Sequence, residues 1–470
     1  MVMTADNAMR CGTAVSFASV AINTFAGKVT RKNNVRAHAC IVRLIGQIDK
    51  ACNALLNDIL HHPVLQRLEA VWRSLNSLTQ LLSGNKIKVR LLDISWQEIT
   101  RDLTKTIDVN QSELFNKIYN QEFGMPGGEP YGVLIGDYAI NITDRYHIEA
   151  LQLMSQISAA AFAPFIAGLA PTSLGLTSFT ELNRIQNLQQ IFKTADYQAW
   201  ESLRQTEDAR FIGLVLPNVL MRQPYSQKQC LQTGFCFTEK NHRLQDYLWG
   251  NASFSFASIL MNSFKESSWF TNLRGANTRC SGGLVSTLAR IDFNTDSKGV
   301  APKFSTNLLI SDTNERILSE LGFISLCQLA GQHEAVFYDN QSIQAAKEYS
   351  DTTATVNAKI SASLQYMFCV SRFAHYIKII GRNKIGSFLS PTECEIFLNS
   401  WLVNYIAAND DLTTDQKLNY PLSDAQVQVK LSPGKGQTYV CIIHLQPRMH
   451  LEQIKTSLVL ITQLSPVNPL

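Results

Sequence analysis

A chain of 470 residues is long enough for two to four domains and a sizeable core. Only 17% of its residues are charged and its net charge is +4, which argues against nucleic acid as the main partner. No apolar run approaches the roughly 18 residues a membrane span needs, so membrane insertion is not expected.

Residues 1–46 are basic and weakly patterned. Arg10, Lys28, Arg31, Lys32, Arg36 and Arg43 stand against one acid, Asp6. The stretch reads as a solvated tail or as an arm that orders on a partner. Residues 15–26 follow Arg10 but are broken by Asn23 and Thr24, so no cleaved signal peptide is expected. From Ile48 the pattern is helical. Ile48, Cys52, Leu55 and Ile59 recur at spacings of three and four, and Leu65, Leu68, Trp72, Leu75 and Leu82 continue the series. Leu65, Leu68, Trp72 and Leu75 fit either the core or a packing face for a second subunit. Pro63 is expected to break the helix after His61 and His62. Neighbouring helix positions point about 100° apart, so the two histidines read as structural rather than as metal ligands.

Ser95-Trp96-Gln97-Glu98 has the form of a capping box, with Trp96, Ile99, Leu103 and Ile107 as the buried stripe behind it. A helix over 110–123 follows, with Leu114, Phe115, Ile118 and Tyr119 inward and Gly124 as its left-handed stop. Pro126, Gly127, Gly128 and Pro130 then force a turn into a buried strand over 131–135. A helix over 145–162 ends before Pro164, and an apolar run occupies 165–169. Helices are expected over 179–192 and 196–204, a buried strand over 211–216, irregular chain over 217–245 and a helix over 252–264. Strands are expected over 304–310, 323–329 and 335–338, with a helix between the first two that Asp312 caps and Gly322 ends. The spacing predicts one long helix over 355–380. Another starts at Ser390-Pro391-Thr392-Glu393, with Ile396, Phe397, Trp401 and Tyr405 as its apolar face.

The last segment is β-rich. Val427, Val429 and Leu431 alternate with polar neighbours, as do Tyr439, Cys441, Ile443 and Leu445. Pro433-Gly434-Lys435-Gly436 joins the two runs as a hairpin turn, and a third run covers 458–461. The alternation of apolar runs with helices makes the fold class α/β, or mixed α+β. Three parts are expected: an N-terminal arm and linker over 1–60, an α/β body over 61–360, and a C-terminal domain of helices and strands over 361–470.

No catalytic constellation is visible. Gly434-Lys435-Gly436 lacks the spacing of a phosphate loop and joins strand to strand. Cys369 and His375 are six apart, some 120° around a helix, and read as core groups. The ten cysteines form no C-x-x-C and read as reduced thiols of a cytosolic protein, without zinc or a disulfide frame. Neither a cofactor nor a metal is expected.

Seven segments in order resemble one family. They are ILHHPVLQRLEAVWRSL (59–75), SELFNKIYNQEFGMPGGEPYGVLIGDY (112–138), ARFIGLVLPNVLMRQPY (209–225), DYLWGNASFSFA (246–257), SDTNERILSELGFISL (311–326), SRFAHYIKIIGRNKIGSF (371–388) and LQPRMHLEQI (445–454). They resemble the large sheath subunit of bacterial type VI secretion systems, the TssC (VipB) family. The first 46 residues carry no matching segment. The resemblance implies a structural protein, not an enzyme, whose C-terminal half shares the fold of phage tail sheath proteins. It implies pairing with a small subunit (TssB, VipA) and helical polymerisation with further copies around a tube of Hcp. It also implies docking on a baseplate at the inner membrane and recycling by the ATPase ClpV, mainly through the small subunit. The hairpin residues Val427, Val429, Leu431, Tyr439, Cys441, Ile443 and Leu445 are then expected to pair with strands of neighbours. The alternatives are a phage-like or extracellular contractile sheath and an α/β enzyme with an unrecognised site.

Overall fold

The computed structural model describes residues 31–82, 87–125, 127–185, 187–226, 235–270, 272–275, 282–286, 288–289, 305–329, 334–384, 390–407, 419–431, 439–448 and 458–464. The chain divides into two compact units, one of residues 1–65 with 224–246 and one of residues 66–223 with 247–470.

The first unit is built on α1, Arg31–Leu60. The helix therefore starts well before Ile48 and takes in about the last third of the stretch read as a solvated tail or an arm that orders on a partner. It ends where expected, because Pro63 opens the next helix, α2, Pro63–Leu81. An irregular segment lies along α1. Asn53 Oδ1 accepts from the Thr238 amide at 3.0 Å and Asn57 Oδ1 from the Lys240 amide at 2.9 Å. One helical turn of four residues rises about 6 Å and two extended residues span about 6.6 Å. Amides four apart on a helix thus read alternate N–H groups of an extended chain. His61 Nε2 completes the row on Glu239 and Asn241 at 3.3 and 3.1 Å, a structural role.

In the second unit, Ser95 and Glu98 cap α3, Trp96–Lys105, reciprocally as the sequence implies. Trp96, Ile99 and Leu103 are buried, but Ile107 lies beyond the helix end and is fully exposed. The helix expected over 110–123 is a short 3-10 turn, one α turn and a π-helix, Asn116–Gly124. Gly124 closes it without turning left-handed; Gly127 does so instead, with φ 84°. Pro126 lies outside the described residues. Strand β1, Leu134–Ile140, begins later than expected and is only half-buried, because it is an edge.

Helix α4, Arg145–Ala161, ends on left-handed Phe162 and returns the chain to β2, Phe165–Leu169. Short 3-10 turns and α5, Gln198–Arg204, lead to β3, Ile212–Leu216. Strands β4, Val219–Leu220, and β5, Trp249–Gly250, form a small ribbon before α6, Ser253–Ser267. Strand β6, Leu284–Val285, is followed by no strand over 304–310. Phe304 lies outside the described residues, and the rest makes a single bridge from Thr306 to Val219. Helix α7, Asp312–Glu320, is capped one residue earlier than expected, by Ser311, and left-handed Gly322 ends its turn. Strands β7, Phe323–Gln328, and β8, Ala335–Phe337, complete a six-stranded sheet of order β1-β2-β3-β7-β8-β6. Its first four strands are parallel and the last two pairings antiparallel. Strands β2 and β3 are buried along their whole length because both faces are covered. Ile212, Leu214 and Leu216 enter one core, and Val215 enters the other with Ile166 and Phe256.

The long helix expected over 355–380 is two helices, α8, Thr352–Ser361, and α9, Leu364–Lys384. Ser363 leaves the helix to bridge Gln341, a tertiary pairing that apolar spacing does not encode. Gly213 lets α9 dock on the sheet, since a Cβ there would lie 2.6 Å from Leu364 Cδ1. Leu364 and Phe368 belong to the core of the large sheet, whereas Cys369, Phe373 and Ile377 belong to the C-terminal core. One helix thus joins two cores. Ser390 caps α10, Pro391–Val403. The buried stripe of α10 is Cys394, Leu398 and Leu402, rotated from the expected one; Ile396 faces out and Phe397, Trp401 and Tyr405 are half-buried. Strands β9, Leu422–Leu431, β10, Tyr439–Pro447, and β11, Leu458–Leu464, form an antiparallel sheet of order β11-β10-β9. The expected hairpin pairs Val427 with Ile443 and Val429 with Cys441, while its Pro-Gly turn lies outside the described residues.

Candidate assembly interface

The residues expected to link neighbours divide by geometry. Val427, Val429, Cys441, Ile443 and Leu445 point into the chain's own core against α9 and α10. Their side chains are therefore already used, and only backbone is left for another strand. Leu431 and Tyr439 pair at the turn end of the hairpin. Strand β10 has partners on both sides, so the expectation of an open edge there is corrected.

The outer edge of β9 is also covered at Val427 and Val429. The Val427 amide donates to Asn399 Oδ1 at 3.0 Å and the Val429 amide to Glu395 Oε2 at 3.0 Å. Asn399 Nδ2 donates back to the Val427 carbonyl at 3.3 Å. This is the matching of helix and strand rises seen on α1, now made by positions 395 and 399 of α10. Sequence reasoning missed both residues, since nothing along the chain marks a helix polar pair as an edge cover.

Strand β11 remains. Among the described residues no strand pairs with its far side. The outward Val427 amide makes Val427–Ile443 a non-hydrogen-bonded pair, so Ile443 exchanges its bonds with Leu460. By alternation the backbone groups of Val459, Ile461 and Gln463 face the free edge. An unpaired edge of this kind is a template for another strand.

The helical residues also divide. On α2 the buried positions are Ala70, Ser74 and Leu78, and Leu75 packs beside them against Phe254, Ala257 and Met261. Leu65 is half-buried. Leu68 and Trp72 are 54% and 64% exposed, so the core reading fails for them. Beneath them Glu69 Oε1 accepts from Arg73 and from buried Arg222 at 2.7 and 2.8 Å, anchoring the helix.

Cys369 and His375 on α9 are core groups. Burial pushes the Cys369 thiol up to about 12 and His375 down to about 4, so neither nucleophile nor imidazolium is available at neutral pH. His375 Nε2 donates to the Ala161 carbonyl at 2.9 Å and holds the end of α4. A hollow of about 330 Å³ near α3 contains Glu98 and Asp102. Both carboxylates are engaged, Glu98 in the capping box and Asp102 on the Glu113 and Leu114 amides. Among the described residues no cluster of His, Cys, Asp and Glu could hold a metal, and no helix is long and apolar enough to cross a membrane. Among the described residues six cysteines are free thiols; Cys236 is disulfide-bonded, which corrects the all-thiol expectation in an irregular segment outside any helix or strand.

Lys378 is the unusual cation of α9. Its ammonium lies 5.2, 4.8 and 4.6 Å from the ring centres of Tyr119, Phe123 and Phe162. Burial lowers its pKa from 10.5 to about 8. Below pH 8 both folded and unfolded amines are charged, and the full burial penalty applies. Between about 8 and 10.5 the unfolded chain binds the extra proton, so stability rises with pH through this group. Lys378→Met is expected to stabilise the chain at pH 7 by about 1–2 kcal/mol after the ring contacts are offset. Thermal melts of both proteins at pH 7 and 9.5 check this. The advantage of methionine should shrink at the higher pH, and an advantage independent of pH would contradict it.

Family models match two stretches of the chain. The EvpB/VC_A0108 tail sheath N-terminal domain covers residues 42–344, and the EvpB/VC_A0108 tail sheath gpW/gp25-like domain covers residues 353–464. The chain is 38% identical over 430 residues to the type VI secretion system sheath protein TssC1 of Pseudomonas aeruginosa, across 90% of this chain and 86% of that one. A crystal structure of a sheath tail protein from Desulfitobacterium hafniense aligns with a TM-score of 0.28 and 10% identity, over 67% of this chain and 60% of that one.

Proposed function

The chain belongs to the TssC/VipB family of type VI secretion sheath large subunits, and from that membership we propose that it pairs with the small subunit, TssB or VipA, and polymerises helically with further copies around an Hcp tube. The polymer is cytoplasmic and sits on a baseplate at the inner membrane. Contraction drives the tube outward, and ClpV recycles the spent sheath mainly through the small subunit. The chain is mechanical and not catalytic. Residues 1–60 serve as arm and linker, 61–360 as the sheath body, and 361–470 as the domain that carries the inter-subunit strands.

The observation that carries this reading is the edge of β11. Of the other two strands of its sheet, one has strands on both sides and one is covered by Asn399 and Glu395 at Val427 and Val429. A strand from a neighbour adds to β11 through backbone bonds and links protomers while rigid bodies move past each other. A head-to-tail contact that does not close makes a helical filament. Energy then resides in two packings of the same bodies, without nucleotide hydrolysis on this chain.

Co-expression with the small subunit, followed by negative-stain imaging, tests it. Tubes are expected. A monodisperse chain that ignores the small subunit would overturn the reading.

A further inference from the structure

Two thiols meet between α10 and the C-terminal sheet, and the function above makes no use of them. Cys394 stands in the first turn of α10 and Cys441 in β10, and both are buried in one core. The register brings them together. Cys441 pairs with Val429, and the Val429 amide bonds Glu395, the residue after Cys394. The two side chains hydrogen-bond to each other. That bond holds the Cys394 thiol below its ordinary range and pushes Cys441 above it, so Cys441 is the donor. Buried cysteines usually act as small hydrophobes. Cys327 and Cys369 fit that role, with burial pushing each thiol up to about 12. Cys394 departs in the opposite direction, although burial and the neighbouring Glu395 both oppose it.

We propose that Cys394 and Cys441 are a redox pair that closes to a disulfide on reaction with hydrogen peroxide, locking α10 onto the central strand of the sheet. The Cys394 sulfur attacks one peroxide oxygen and the O–O bond breaks. The departing hydroxide takes the Cys394 thiol proton and leaves as water, so Cys394 becomes a sulfenic acid. The Cys441 sulfur then attacks the Cys394 sulfur. The S–O bond breaks, and the second hydroxide takes the Cys441 proton and leaves as water. Two thiols lose two electrons in all, and one peroxide is reduced to two waters. Helix ends open more readily than helix middles, so the first turn of α10 gives a small oxidant its way in. The bond closes the loop between Cys394 and Cys441. It also fixes Glu395 and Asn399 over the β9 edge, because both stand on α10.

The full chain would be treated with hydrogen peroxide well below its melting temperature and its remaining thiols blocked with N-ethylmaleimide. The non-reduced digest is then read by mass spectrometry. A peptide pair linking Cys394 to Cys441, two hydrogens lighter than the free thiols, is expected to accumulate. The melting midpoint should rise by about 5 °C, the order expected of a disulfide that closes a loop. Cys441→Ala treated alike should show no rise. In that variant the Cys394 sulfenic acid lacks its resolving thiol, so dimedone should label it several-fold more than in the wild type. Exposed Cys40 and Cys52 serve as the internal control. Recovery of Cys394 and Cys441 as free thiols after Cys40 and Cys52 have been oxidised would overturn the pair. Conversion of Cys394 to a sulfinic acid with Cys441 untouched would overturn it as well. The wild-type digest decides the matter even where the variant fails to fold.

Discussion

Replacing Phe373 with alanine is expected to cost about 3–5 kcal/mol of stability, the range for a fully buried phenylalanine whose cavity cannot collapse. Its ring is completely buried and stacks on Trp269 with centres 4.4 Å apart and planes 17° from parallel. Tyr405 meets it edge-on at 5.7 Å, and Trp401 at 6.1 Å. The site cannot shrink easily, because α9 is fixed at its start against Gly213 and along its length by His375 on Ala161. Denaturant melts followed by tryptophan fluorescence should show the midpoint fall and the C-terminal core open first. A loss below about 1 kcal/mol would mean that α9 does not couple the two cores.

Ile461→Pro should have the larger effect on assembly and a small effect on the isolated chain. Its amide faces the outer edge of β11, so proline leaves the bonds to β10 in place while removing a donor and placing a ring where a new strand would lie. The variant is expected to stay soluble and folded but to form no tubes with the small subunit. Ile443→Pro is the contrast. It breaks the bond to Leu460 inside the sheet and should unfold the C-terminal core.

Much of the fold is legible in the sequence where one residue type admits one local solution. Pro63 separates two helices, Ser95 and Glu98 cap reciprocally, and the apolar runs of β2 and β3 lack a polar face because both faces are covered. Legibility fails where a distant partner decides. The break at Ser363 depends on Gln341, the phase of α10 depends on β9 and β10, and the half-burial of β1 depends on its place at the sheet edge. The candidate interface was half legible. Alternation marked Val427 through Leu445 correctly as strand, yet it cannot say which strand ends up central. It read as sticky a hairpin whose own chain satisfies it, and the open edge passed to the third run. Trp72 shows the same limit in a helix, since its spacing is that of a core residue and its surroundings are solvent.

The central claim is that a neighbour completes the β11 edge in the sheath. Hydrogen–deuterium exchange at Val459, Ile461 and Gln463, compared between free chain and assembled tubes, tests it most directly. These amides should exchange freely in the isolated chain and become strongly protected on assembly, while those of Leu458, Leu460 and Thr462 are protected in both. Equal exchange at the three outward amides before and after assembly would contradict a strand link at this edge.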